Sequence, residues 1–67
     1  MLNFMKLLLN ELIDHYPGQL QYRMQLASIY AEQGDLVNAR ETAEKIIEID
    51  PSTQPTVETF LNSLEAE

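Results

Sequence analysis

Two prolines constrain this chain more than any of its other residues. Pro17 and Pro51 stand thirty-four positions apart, and each closes a similar ending, LLNELIDHYP in the first case and AEKIIEIDP in the second. Proline has no amide hydrogen and its ring clashes with the preceding turn, so each marks a place where a helix stops. Self-similarity at this period is the mark of stacked helix-turn-helix units, which bury their apolar faces against one another. Between the prolines, the stretch YAEQGDLVNARETAEKIIEIDP holds one more break, at Gly34-Asp35. Glycine suits the left-handed position after a last helical turn, and aspartate has the chemistry of an N-cap, accepting from the free amides of the next helix.

The spacing of apolar residues fills in the helices between these breaks. Met5, Leu8, Leu9, Leu12, Ile13 and Tyr16 recur at three- and four-residue steps, which predicts a first helix over about 2–16. Leu20, Leu26, Ala27, Ile29 and Tyr30 predict a second over about 19–33. Leu36, Ala39, Ala43, Ile46, Ile47 and Ile49 predict a third over 36–49. Val57, Phe60, Leu61 and Leu64 predict a fourth over about 53–65, capped by Ser52 or Thr53 and tolerating Pro55 in its first turn. The connections are short, so neighbouring helices run antiparallel. The expectation is an all-α domain of four helices arranged as hairpins. With 67 residues there is room for one domain with a small core.

Composition excludes several kinds of partner. Eleven acidic side chains against four basic ones give a formal charge of −7, a surface that repels phosphate backbones and anionic lipid. Cysteine is absent, which removes disulfides and thiolate metal sites. The opening MLNFMKLLLNELIDHY has only Leu7-Leu8-Leu9 as an unbroken apolar run before Asn10, Glu11 and Asp14, too short for a signal peptide or a membrane span.

At Leu26, Ala27, Tyr30, Gly34-Asp35, Ala39 and Pro51 the chain resembles the tetratricopeptide repeat family. The resemblance implies one full repeat over about Pro17 to Asp50, flanked by two half repeats, in a right-handed superhelical array. It implies that Ala27 lets the two helices of a hairpin approach closely, that Tyr30 fills the space beside it, and that Gly34 and the prolines close the turns. Three positions depart from the family pattern. Arg23 stands where a large apolar residue is usual, and Ala43 where an aromatic or leucine is common. Ile46 is bulky where a small residue is usual, so the angle to the fourth helix is free to differ.

No residue set in this sequence supplies catalysis. His15 is the only histidine, and its neighbours Asp14 and Tyr16 point about 100° away round the helix. Glu41, Glu44, Lys45 and Glu48 read as a solvated face with Glu41 and Lys45 paired across one turn, since calcium needs six or more oxygens and a shaped loop. Neither Gly18 nor Gly34 belongs to a phosphate-cradling loop, and one histidine without a pocket makes no nucleophile–base set. No enzyme activity, metal or cofactor is expected.

Two surfaces remain. The resemblance implies a partner-binding groove lined by Gln21, Met24, Gln25 and Ser28 of the second helix and Glu58, Asn62 and Glu65 of the fourth. Met24, Ser28 and Glu58 occupy positions where chaperone-binding relatives of that family carry a basic carboxylate clamp, so the expected partner is a basic or neutral protein segment. The second surface lies on the first helix, where Phe4 and Leu7, with Leu8 beside them, sit off the main apolar arc. They predict a missing neighbour, either an upstream helix or a second copy in a homodimer. The acidic ending Glu65-Ala66-Glu67 reads as a solvated terminal face, as expected of a C-terminal piece or a small stand-alone protein.

Overall fold

A computed structural model describes residues 2–65 of the chain, the side chains from Asn3 onward. Four helices follow one another: α1 (Leu2–His15), α2 (Leu20–Glu32), α3 (Leu36–Ile49) and α4 (Gln54–Glu65), with a short 3-10 turn over Pro51–Thr53 before the last. No strand occurs among the described residues. Each helix packs against the next in sequence, so the chain is a run of antiparallel hairpins spanning 28 × 26 × 14 Å.

The turns show how the sequence enforces this order. After α2 the amide of Asp35 donates to the Tyr30 carbonyl (2.9 Å) and that of Gly34 to the Ala31 carbonyl (3.0 Å), a Schellman pairing. It requires a residue at positive φ, and Gly34 sits at +78°. Asp35 then caps α3, accepting from the Asn38 amide (3.3 Å) and from the Asn38 side-chain nitrogen (2.7 Å). At the outer turn Asp50 caps the 3-10 turn that leads into α4. Its carboxylate accepts from the amide and hydroxyl of Ser52 (3.1 and 2.7 Å), while the Thr53 hydroxyl donates back to the Asp50 carbonyl (2.7 Å). Both Ser52 bonds go to one carboxylate oxygen, Oδ1, of the residue just before the proline that starts the turn.

The core is built round small residues. Ala27 of α2 and Ala39 and Ala43 of α3 are fully buried, so the α2 and α3 backbones approach closely. The bulk of Ile46 enters the space that Ala27 and Ala43 leave, and Val57 of α4 packs against the same group. Leu20, Met24, Ile47, Phe60 and Leu61 ring this cluster, half-buried. Arg23 has a backbone role: its guanidinium donates to the Pro17 carbonyl (2.7 Å) and ties α2 to the turn before it.

The apolar pattern overstates the core in two places. On α1, Leu9 is buried and Leu12 and Ile13 are half-buried, but Met5, Leu8 and Tyr16 are exposed. Leu8 lies at the edge of the arc that α2 covers, whereas Met5 and Tyr16 share the angular range of Leu9, Leu12 and Ile13 and are exposed towards the two ends of the helix. On α3, packed by α2 on one side and α4 on the other, Leu36 and Ile49 are exposed at the two ends.

Candidate interaction site

Because α3 runs back between them, α2 and α4 lie side by side and point the same way. Their seam has two hollows. Near the N-terminal ends, Leu20, Gln21 and Met24 face Thr53, Thr56 and Val57 across a mostly apolar hollow of about 180 Å³ with Ile46 at its floor. Near the C-terminal ends, Ser28, Ala31 and Glu32 face Phe60, Ser63 and Leu64 across a wider, more polar one of about 360 Å³. An apolar floor with a rim of hydroxyl and amide groups suits an extended peptide, whose backbone needs polar partners and whose side chains need cover.

The groove residues expected on α2 divide between these hollows. Gln21 and Met24 line the first, Ser28 lines the second, and Gln25 is exposed and lines neither. On α4 none of the expected residues lines either hollow. Glu58, Asn62 and Glu65 lie on the flank turned away from α2, nearly half a turn round the helix from the residues that face it. Glu58 accepts from the Gln54 side-chain amide (3.0 Å), and Glu65 pairs with Arg40 of α3 (3.3 Å). Thr53 of the 3-10 turn and Thr56, Phe60 and Ser63 of α4 build that wall instead. Their stripe at four- and three-residue steps borders the core stripe Val57–Leu61–Leu64, and that adjacency was the available signal.

Most of the basic side chains are engaged with their own chain. The Lys6 ammonium donates to the Gln33 side-chain oxygen (2.8 Å) and lies 5.2 Å from the centre of the Tyr30 ring. Arg23 holds the Pro17 carbonyl and Arg40 holds Glu65. Arg40–Glu65 is the single ion pair among the described residues, so the expected Glu41–Lys45 pair does not form. Most carboxylates therefore face solvent without a cationic partner, which makes the exterior complementary to a basic segment. The Asp35 carboxyl is held below the usual carboxylate range, chiefly by the side-chain hydrogen bond from Asn38 and then by the Asn38 amide.

His15 ends α1 exposed, its ring tilted against Tyr16 at 6.5 Å. No cluster of three metal-ligating side chains occurs among the described residues, and no described helix is long and apolar enough to cross a membrane. On α1, Phe4 and Leu7 are 65% and 67% exposed, and Leu8 is 41% exposed, an apolar face on the side of the helix away from α2.

The chain matches no known protein family, no curated protein and no solved structure.

Proposed function

We propose that this chain is a non-catalytic protein-interaction module of the tetratricopeptide kind, its hairpins stacked with that family's right-handed sense. It takes an extended, basic or neutral segment of a partner protein along the α2–α4 seam. One observation carries the reading: the seam combines an apolar hollow walled by Leu20, Met24 and Val57 with an exposed polar rim, in a chain whose free charges are mostly carboxylates. Spacing and turn chemistry support the family: Ala27 and Ala39 are buried, Gly34 takes positive φ at the inner turn, and Pro51 begins the outer one.

Selection from a random displayed-peptide library tests it. The expected ligands carry an apolar anchor beside lysine or arginine, and they are lost on Gln21→Arg with Thr56→Arg, two exposed rim positions whose change leaves the core intact. A library that yields no ligand, or ligands indifferent to that double change, refutes the proposal. A second reading, self-association through α1, is favoured by the exposure of Phe4 and Leu7. Light scattering over a wide concentration range tests that one.

A further inference from the structure

We infer that the outward face of α1 is a second docking surface, and that its occupant is an amphipathic helix of another protein with basic residues about two turns from its apolar contacts. Three candidates compete for this face: an upstream segment of the same chain, a second copy, and a different protein. The thirty-four-residue correspondence that sets Pro17 against Pro51 also sets α1 against α3. On α3, the helix covered by a neighbour in front and another behind, Ala39 is buried and Thr42 half-buried, while Asn38 and Glu41 stay exposed. Their counterparts on α1 are Met5 and Leu8, and Phe4 and Leu7. An upstream helix seated on α1 as α2 sits on α3 would therefore cover Met5 and part of Leu8 but leave Phe4 and Leu7 in water. The two most exposed apolar side chains of the face belong to some other contact.

Charge separates the two remaining occupants. Phe4, Leu7 and Leu8 continue along the same side of the helix into Glu11, with Asp14 beside it, all exposed. Lys6, the one lysine of α1, is turned to Gln33 and Tyr30 on the opposite side. A two-fold contact between copies uses the same patch on both. Parallel pairing then sets Glu11 against Glu11, and antiparallel pairing about Leu7 and Leu8 sets Phe4 against Glu11. Either way apolar contact comes with an unpaired carboxylate at the seam. A foreign helix escapes this conflict by carrying lysine or arginine opposite Glu11, ~10 Å along the axis from Phe4. This inference does not depend on what occupies the α2–α4 seam.

The test uses a fluorescein-labelled amphipathic helical peptide of leucine and lysine, with its leucine–glutamate counterpart as control, titrated with the whole chain. The comparison is Phe4→Asn with Leu7→Glu, which gives α1 the residues α3 carries at the same places and which folds because those side chains are exposed. The double change makes the chain more acidic, so unspecific attraction of the lysine peptide grows while the apolar seat is lost. The expected result is binding weakened at least about tenfold, with wild-type amide shifts on titration clustered at residues 4–14. Binding unchanged or tightened by the double change overturns the inference, as do shifts clustered on α2 and α4. A wild-type dimer that the same change converts to monomer also overturns it, by giving the face to a second copy.

Discussion

Ile46 and Ile49 are the same residue type on the same helix, three positions apart, and the structure places them in opposite environments. Ile46 is 3% exposed within the cluster of Ala27, Ala43 and Val57, whereas Ile49 is 42% exposed at the end of α3. Isoleucine to alanine removes three carbons. At roughly 0.8 kcal/mol per buried carbon the transfer loss at position 46 is about 2.4 kcal/mol. The cavity left between α2, α3 and α4 adds to it, giving about 3–4 kcal/mol. A domain of this size has total stability on the order of 3–10 kcal/mol, so Ile46→Ala removes a large part of it. In a thermal melt followed by circular dichroism, ~1 kcal/mol corresponds to about 4–8 °C, so Ile46→Ala lowers the midpoint by more than about 12 °C or abolishes the transition. Ile49→Ala has no comparable cavity to open and costs about 1 kcal/mol. Equal losses at the two positions would refute the packing described here, because they would mean that burial of Ile46 between the hairpins contributes nothing beyond apolar character.

Gly34→Ala forces a Cβ into the left-handed region that the Schellman turn requires. No neighbouring atom obstructs it, so the cost is conformational alone, about 1–2 kcal/mol, and Gly34→Asn costs less. Denaturant melts of the two variants check this order. Asp35→Ala lowers the melting midpoint by removing the cap on α3, while Asp35→Asn retains most of it. Because hydrogen bonds from Asn38 depress the Asp35 carboxyl in the folded chain, its stabilisation is fully present above the ordinary aspartate value, near pH 4. It fades as pH falls through the lower folded value. The wild-type chain therefore loses stability more steeply than Asp35→Asn below about pH 4, in melts recorded across that range. Arg23→Met frees the Pro17 carbonyl and loosens the α1–α2 turn, which hydrogen exchange reads as faster exchange at Gln19–Tyr22 with little change in α3.

What was legible in the sequence was what local chemistry decides. Proline, Gly34 and Asp35 act within a few residues of themselves, so the helix ends at α2, α3 and α4 stand within a residue or two of where the spacing puts them. Ala27, Ala43 and Ile46 were legible as core because small and large residues alternate at helical spacing. What depended on a neighbour was harder to see. Met5, Leu8 and Tyr16 belong to the apolar pattern of α1 as clearly as Leu9 does, yet Leu8 falls at the edge of the arc that α2 covers and Met5 and Tyr16 fall towards the helix ends. The same holds on α4. Residues Glu58, Asn62 and Glu65 fit a family's groove positions, but which flank of α4 faces α2 follows from how Val57 seats against Ala43 and Ile46 of α3, and that puts Thr56, Phe60 and Ser63 in the wall. Arg23 looked like a defect in an apolar stripe until its bond to Pro17 supplied the reason for a donor there.

A slab only 14 Å thick in its shortest direction leaves every helix with an open flank, and its core rests, among the described residues, on eight buried apolar side chains, three of them alanines. Such a core leaves little stability in reserve, and it is α4, held against α3 by Val57, that closes the seam. A segment bound there touches α2 and α4 together and is lost when α4 detaches, so binding and the docking of α4 are linked. A partner at one hundred times its dissociation constant stabilises the bound form by about 2.7 kcal/mol, a large share of what a chain of this size possesses. The wall residues Thr56, Phe60 and Ser63 thus do two things at once. On the proposed reading they form the surface that a partner meets, and they sit on the element whose attachment that partner would reinforce.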